Sequence, residues 1–307
     1  MQGKIAITPR SLSQAGHPAL SNLTDAGFEL VYPNPGKTPS ETDLLDVIPD
    51  CVGWLAGVEP ISRKVLDAAG GLRVISRNGS GVDNINLADA EARGIKVERI
   101  IGANARSVAE LAVALLMAAT RHIPWSDAHL RSGDWQRRVG FELKGRTLGV
   151  VGCGAIGRQV SEMALGLGMN VIGYDPFPNN DFAPAGFRFG ALDDIWRSAD
   201  AVTFHCPPSD TPILDSGVIE ALQPGTIIVN TARAGLIDDI AMLDGLKSGQ
   251  VGCLATDVFH SEPPEMTPLL AHDRVILMPH AGGLTAESVE RATRGAVDNI
   301  LKVLEQK

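Results

Sequence analysis

Six residues, Gly152-Cys153-Gly154-Ala155-Ile156-Gly157, restrict the fold of this chain more than any other segment. They follow the apolar run Thr147–Val151, which reads as a strand, and open the stretch Ala155–Leu167, which reads as a helix. Glycines at this spacing between a strand and a helix make a turn whose backbone comes close to a phosphate. Gly152 permits the turn, a Cβ at Gly154 would collide with a pyrophosphate, and Gly157 lets helix and strand pack closely. The first helical turn, with Ala155 and Ile156, would offer free N–H groups and a partial positive charge to the phosphates. The next strand candidate, Val171–Tyr174, ends at Asp175, 18 residues past Gly157. That is close to the roughly 20 expected for a carboxylate that accepts from a ribose 2′-OH. Such a carboxylate repels a 2′-phosphate, and no arginine follows in Pro176-Phe177-Pro178, so NAD is expected rather than NADP. The bland alternative is a glycine-rich turn without a ligand.

On both sides of this turn, strand-like and helix-like stretches alternate. Lys4–Thr8, Phe28–Tyr32, Val52–Leu55 and Leu72–Ser76 are strand candidates, separated by amphipathic stretches such as Pro18–Ala26 and Ser62–Ala69. After Thr147–Val151 come Val171–Tyr174, Ala201–His205, Thr226–Asn230, Gly252–Thr256 and Val275–Met278, and Ala286–Leu304 reads as one amphipathic helix. Alternation of this kind argues for parallel sheets covered by helices. The expected class is α/β, and 307 residues suit about two domains. Between the two series, Ser107 to about His122 reads as a helix, with Ser107 as its cap and Glu110 completing a capping box. Its apolar residues run nearly all round, which predicts burial on every side.

Composition removes several function classes. A formal net charge of -9 disfavours a nonspecific nucleic-acid binder, since phosphate backbones attract basic surfaces. Cys51, Cys153, Cys206 and Cys253 are scattered, without Cys-x-x-Cys spacing or a histidine cluster, so neither a metal site nor a disulfide framework is expected. The N-terminus has no apolar signal core, and the longest apolar run, Leu111 to Ala119, is far short of the roughly 20 residues of a membrane span. A soluble, cytoplasmic protein is expected.

Several further segments carry a family resemblance. They are Ser76–Asn84 (Ser76-Arg77-Asn78-Gly79-Ser80-Gly81-Val82-Asp83-Asn84), Ser107–Glu110, Asn230–Asp238, Asp257–Pro263 and Pro279–Thr285. Together with the glycine turn, and in this order, they resemble the D-isomer-specific 2-hydroxyacid dehydrogenases, most closely the D-3-phosphoglycerate dehydrogenase branch. The resemblance covers nearly the whole chain. It implies two Rossmann-like or flavodoxin-like doubly wound parallel-sheet domains, with a discontinuous substrate domain at 1–100 and 284–307 around an NAD-binding domain at 101–283. It also implies a homodimer formed through the NAD-binding domains.

The residues suit the chemistry. Reducing a 2-oxo acid needs a grip on the carboxylate, a proton for the carbonyl oxygen and a hydride donor. Arg233 stands just past the strand Thr226–Asn230, and a guanidinium can fork to a carboxylate. His280 follows Val275–Met278, and imidazole exchanges a proton near neutral pH. Glu262, before Pro263, would hold the ring and favour the imidazolium. The resemblance makes these three the catalytic residues. It further implies that the Asn78, Gly79, Ser80 and Gly81 backbone binds the substrate carboxylate, and that Asp257 bonds the nicotinamide carboxamide. Ser107 would lie near the cofactor phosphates, and His205, Pro207 and Thr231 would line the rest of the cofactor site.

Arg77 matches an arginine that faces the far end of the substrate in the phosphoglycerate branch. Arg10, after the first strand, could line the same cleft, and Trp135-Gln136-Arg137-Arg138 resembles a segment that reaches the partner's site in the dimer. Arginines favour an anionic tail, so 3-phosphoglycerate and 3-phosphohydroxypyruvate are the leading pair. The sequence departs from the family at Arg99-Ile100-Ile101, where Asn-(Thr/Ala)-Pro is usual, and at Asn78 and Ser80. Hydroxypyruvate or glyoxylate reduction, action on a phosphonate, and a non-enzymatic NAD(H)-sensing protein on the same scaffold are the alternatives. Formate dehydrogenases are disfavoured, because they carry Gln where Glu262 stands. The sequence stops after the last helix, so no regulatory domain is expected.

Overall fold

The structure is a computed structural model that describes residues 2–305. It forms two compact units. One runs to Asn104 and resumes at Thr285, and the other is Ala105–Leu284.

The first unit is built on five parallel strands, β1 (Lys4–Ile7), β2 (Glu29–Val31), β3 (Cys51–Ala56), β4 (Val74–Arg77) and β5 (Lys96–Arg99), in the order β2-β1-β3-β4-β5. The central strands are buried on both faces, which is why they read as nearly continuous apolar runs. The long helix Ala286–Glu305 covers one face, packing Ala296, Val297 and Ile300 against Ile5, Ile7, Leu55 and Val74. Arg73 ends this helix by donating from Nη1 to Leu304 O (3.2 Å) and from Nη2 to Val303 O (3.0 Å), placing a cation at the negative end of the helix dipole. The stretch Pro18–Ala26 divides into a 3-10 turn, Pro18–Leu20, and a helix, Ser21–Asp25. His17 causes the division, since its Nδ1 accepts from Ala19 N and caps the turn.

The second unit has seven parallel strands: β6 (Thr147–Val151), β7 (Asn170–Tyr174), β8 (Phe187–Phe189), β9 (Ala201–Phe204), β10 (Thr226–Asn230), β11 (Val251–Thr256) and β12 (Val275–Leu277). Their order is β12-β11-β10-β9-β6-β7-β8. The winding reverses between β6 and β9, and ligands of open α/β sheets bind outside the carboxyl ends of the strands at such a reversal. The helix Ala105–Thr120 packs Ala109, Ala112, Leu115, Leu116 and Ala119 among Leu148, Val150, Ile227 and Val229.

Two expectations about this helix fail. It begins at Ala105, so Ser107 lies inside it and does not cap it. It is also not buried all round, because Arg106, Glu110, Ala114 and Met117 form an exposed stripe at helical spacing. No helix among the described residues is long and apolar enough to cross a membrane.

Candidate active site

The glycine turn leaves β6 and enters the helix Ala155–Gly166. Gly152 has φ +95°, and a Cβ there would lie 2.6–2.7 Å from the backbone of His205 and Cys206. A Cβ on Gly157 would sit 1.9 Å from Gly152 O. Both glycines are therefore required by the protein itself. Gly154 is different: a Cβ there would meet nothing within 4 Å. The space beside it is open, and Gly154 caps a helix that has no side-chain cap. Its first-turn N–H groups, at Ala155 and Ile156, lack intrahelical acceptors, the arrangement that binds anions at helix N-termini.

Asp175 stands just past β7 and accepts from Cys153 N (2.9 Å) through Oδ2 and from Phe177 N (2.9 Å) through Oδ1. Its carboxylate is thereby fixed against the glycine turn, where a ribose would follow a pyrophosphate. His205 follows β9. Its Nε2 bonds Thr203 Oγ1 at 2.9 Å, while Nδ1 is buried without a partner. Burial pushes its pKa down to about 3, so the ring is neutral. Thr231, just past β10, has an equally buried and unpartnered Oγ1. Pro207 is exposed beyond Cys206.

The ends of β10, β11 and β12 carry the remaining residues of this unit. Asn230, buried at the end of β10, knots the following loop: its Oδ1 accepts from Ala232 N (3.0 Å) and its Nδ2 donates to Arg233 O (2.8 Å). This Asx turn presents Arg233, whose Nη1 donates to Ala232 O at 2.7 Å. His280 follows β12 with φ +53°, a left-handed conformation rare for a residue with a side chain. Its Nδ1 lies 2.7 and 2.8 Å from the two Glu262 oxygens. The hydrogen bond to Glu262 raises the pKa of His280, against burial, and the charge of Glu262 adds to the rise. Burial disfavours the Glu262 carboxylate, but the hydrogen bond and charge of His280 outweigh it, and the Glu262 carboxyl lies below its ordinary range. The Arg233 charge acts on both partners, lowering each.

Asp257, at the end of β11, holds the bend after His280. Its oxygens accept from Ala281 N (2.7 Å) and Gly282 N (2.8 Å). Burial pushes its pKa up. From the helix Ala105–Thr120, Ser107 Oγ donates to Gly282 O at 2.5 Å. The expected contacts of Asp257 and Ser107 were with a cofactor; the contacts found brace the histidine loop. Each carboxylate oxygen keeps a second lone pair, so the brace leaves Asp257 able to accept from a carboxamide.

The other candidate residues lie in the first unit. Arg77 ends β4, in register with Ala56 of β3 and Arg99 of β5. Asn78 N and Gly79 N already donate, to Ala56 O (2.9 Å) and Arg77 O (2.8 Å). Ser80 N and Gly81 N make no backbone–backbone hydrogen bond among the described residues. Arg10 begins the short helix Arg10–Ala15 and is exposed. Among the described residues no cluster of three or more His, Cys, Asp or Glu could hold a metal ion.

Residues 113–282 match the family model of the NAD binding domain of D-isomer specific 2-hydroxyacid dehydrogenases, which is more than half of the chain. The chain belongs to the D-isomer specific 2-hydroxyacid dehydrogenase family. It is 42% identical over 251 residues to a D-3-phosphoglycerate dehydrogenase of Methanocaldococcus jannaschii, an alignment covering 80% of this chain and 48% of the relative. It thus spans about half the length of the curated relatives it matches. Among solved structures, a protein of Thermus thermophilus superposes with a TM-score of 0.90 at 32% identity, covering 99% of this chain and 97% of that one. A phosphoglycerate oxidoreductase from Vibrio cholerae superposes with a TM-score of 0.85 at 27% identity, covering 99% and 100%.

The residues of this member of the family fit NAD. The open space at Gly154 and the orphaned Thr231 Oγ1 and His205 Nδ1 are features the protein alone leaves unexplained. All three follow strands at the winding reversal or next to it. The first-turn amides of Ala155 and Ile156 would hold the phosphates, and Asp175 the ribose.

Proposed function

We propose that the protein interconverts a small anionic D-2-hydroxy acid and its 2-oxo acid, with 3-phosphoglycerate and 3-phosphohydroxypyruvate as the leading pair. The observation that carries this reading is the His280–Glu262 pair, at 2.7 Å, beside the charge of Arg233 and at the carboxyl ends of the cofactor-binding sheet. Bound NAD supplies the hydride carrier. Glu262 holds Nδ1–H of His280 and leaves Nε2 as the reactive atom. In reduction Nε2 gives its proton to the carbonyl oxygen as hydride reaches C2; in oxidation it takes the hydroxyl proton back. Arg233 grips the carboxylate and polarises the adjacent carbonyl. In the first unit, Ser80 and Gly81, with Asn78 and Gly79 shaping their loop, supply amides suited to a carboxylate. Arg77 and Arg10 meet the tail. In this reading the unit ending at Asn104 and resuming at Thr285 is the substrate domain.

A homodimer through the second unit belongs to the same proposal. The helix Ile123–Arg131 has no buried residue, and Trp135 and Val139 beyond it are 79% and 97% exposed, which is a poor arrangement for an isolated chain. Four unpaired thiols suit a cytoplasmic location.

Initial rates with NADH against 3-phosphohydroxypyruvate, hydroxypyruvate, glyoxylate, pyruvate and a phosphono-2-oxo acid test the reading. Turnover of at least one acid is expected, with kcat reduced roughly 10²–10⁴-fold in His280→Ala. No turnover of any, or wild-type turnover in that variant, would refute it.

A further inference from the structure

The second unit holds a cavity of about 210 Å³ that the proposed chemistry does not use. One wall is the end of β10 and the turn after it, with Asn230, Ala234 and Ile237; another is the segment after β11, with Val258, Phe259 and Leu270. None of Arg233, Asp257, Glu262 and His280 lines it. Leu254, Val258 and Leu269 give it a buried apolar lining. A concave, mostly apolar space with a few placed polar groups is the usual form of a small-molecule site. At roughly 30 Å³ per water in the liquid, its volume is that of about seven waters.

Three polar side chains of the lining are engaged within the protein. Asn230 knots the Arg233 turn, Thr256 Oγ1 donates to Val258 O (3.0 Å) and accepts from Val258 N (3.3 Å), and Thr267 Oγ1 accepts from Leu270 N (3.2 Å). The charged lining residues are differently placed. Asp239, the first residue of the helix Asp239–Ser248, approaches His260 Nε2 at 3.5 Å, and both side chains are about half exposed. The Glu265 carboxylate makes no hydrogen bond or ion pair among the described residues. Two carboxylates thus stand against one histidine, and no lysine or arginine lines the cavity. A cleft lined by one sign of charge concentrates ligands of the other sign. NAD and the 2-oxo acids are anions, so this cavity selects against the ligands of the catalytic site. It suits a cation with a compact apolar body.

Both walls also support catalytic residues. Asn230 fixes the backbone of Ala232 and Arg233 through its side-chain amide. Phe259 N donates to Glu262 Oε1 at 3.3 Å, on the carboxylate that holds His280. A molecule packed between Ala234 and Phe259 therefore touches the two segments that present Arg233 and Glu262. We propose that the cavity is an effector site for a small primary amine with an apolar body, its ammonium meeting Asp239 and Glu265, and that occupancy holds the two catalytic segments in place. The link to catalysis rests on the proposed roles of Arg233 and Glu262. A ligand that binds only the ordered arrangement stabilises it by mass action.

The probe is 2-phenylethylamine, with 2-phenylethanol as its uncharged counterpart, and the protein is wild type or Asp239→Asn/Glu265→Gln. Calorimetry should show saturable binding of the amine to wild type, tighter than that of the alcohol. The double variant should raise the Kd of the amine about 10-fold, the scale of two partly exposed ion pairs, and leave that of the alcohol unmoved. With the amine at about ten times its Kd, amide hydrogen exchange over residues 231–239 and 258–270 should slow about 10-fold in wild type. KM for the best 2-oxo acid should fall about 5-fold, a modest coupling between sites. If the double variant does not fold, Glu265→Lys decides, because its own ammonium should abolish binding of the amine. No saturable binding, or an affinity unmoved in the variant, would overturn the proposal. Binding that leaves both exchange and KM unchanged would overturn the effector role. A wild type that turns over none of the acids refutes the dehydrogenase reading, while calorimetry and exchange still decide the cavity.

Discussion

Glu262→Gln separates the charge of the His280 pair from its hydrogen bond. The amide keeps an oxygen within reach of His280 Nδ1, now 2.7–2.8 Å from the carboxylate oxygens, so the ring orientation survives and the negative charge does not. Two unit charges about 4 Å apart interact by about 1 kcal/mol in water and about 4 kcal/mol at an effective dielectric constant of 20. The side chains are 46% and 35% exposed, so the lower end applies, and about 1.4 kcal/mol corresponds to one pH unit. Arg233 continues to push the histidine down after its counter-charge has gone.

The assay is kcat/KM for reduction of the best 2-oxo acid against pH. In the proposed mechanism the imidazolium is the proton donor, so the rate should fall as pH rises through the His280 pKa. In wild type that limb lies above the ordinary 6.5. In Glu262→Gln it should move down by about one unit. The rising limb of the oxidation reaction, which needs neutral imidazole, should move the same way. Rates lowered equally at every pH, with both limbs unmoved, would refute the electrostatic role and leave Glu262 an orienting group only. The pair has a small stability signature as well. His280, raised in the fold, contributes fully below 6.5 and loses its contribution as pH rises through its folded value; Glu262, lowered in the fold, contributes fully above 4.5 and loses its contribution on acidification. The Tm difference between wild type and variant should therefore be widest between pH 4.5 and 6.5.

Arg233→Lys should raise KM for the 2-oxo acid and lower kcat, because an ammonium cannot reproduce the planar fork; steady-state constants equal to wild type would remove the carboxylate-gripping role. Asp175→Ala should narrow the preference for NAD over NADP, read as the ratio of kcat/KM for the two cofactors, and an unmoved ratio would assign the ribose to another residue. Gly157→Ala places a methyl group 1.9 Å from Gly152 O, where backbone cannot retreat cheaply. It should lower stability by about 1–3 kcal/mol and weaken NADH binding measured by fluorescence; a variant with unchanged Tm and unchanged affinity would contradict the close-packing argument.

Strands buried on both faces were legible as apolar runs, and β6 and β10 begin and end at the residues the hydrophobic pattern marks. The edge strands β5 and β8 were not legible. Lys96–Arg99 has two exposed charged ends and Phe187–Phe189 is only three residues long, so neither shows a buried period, and each takes its extended form from the neighbouring strand. The site divides in the same way. His280 and Glu262 could be paired in advance because each sits in a motif of recognisable order. The Asn230 knot was hidden in a motif already quoted, although Asn three residues before Arg at a strand end is an Asx-turn signal. Ser107 was misread because a serine followed by Glu110 mimics a cap, whereas its actual partner, Gly282 O, is 175 residues away.

The Asp257 brace fixes more than a loop. With one amide of the bend on each carboxylate oxygen and the first residue of that bend left-handed, the imidazole has no backbone slack with which to follow a longer or shorter substrate. In the proposed mechanism proton delivery is then a fixed point of the scaffold. Any broadening of the range of acids accepted, by evolution or by engineering, has to come from the groups that meet the tail, and libraries aimed at the histidine loop should yield inactive proteins rather than new specificities.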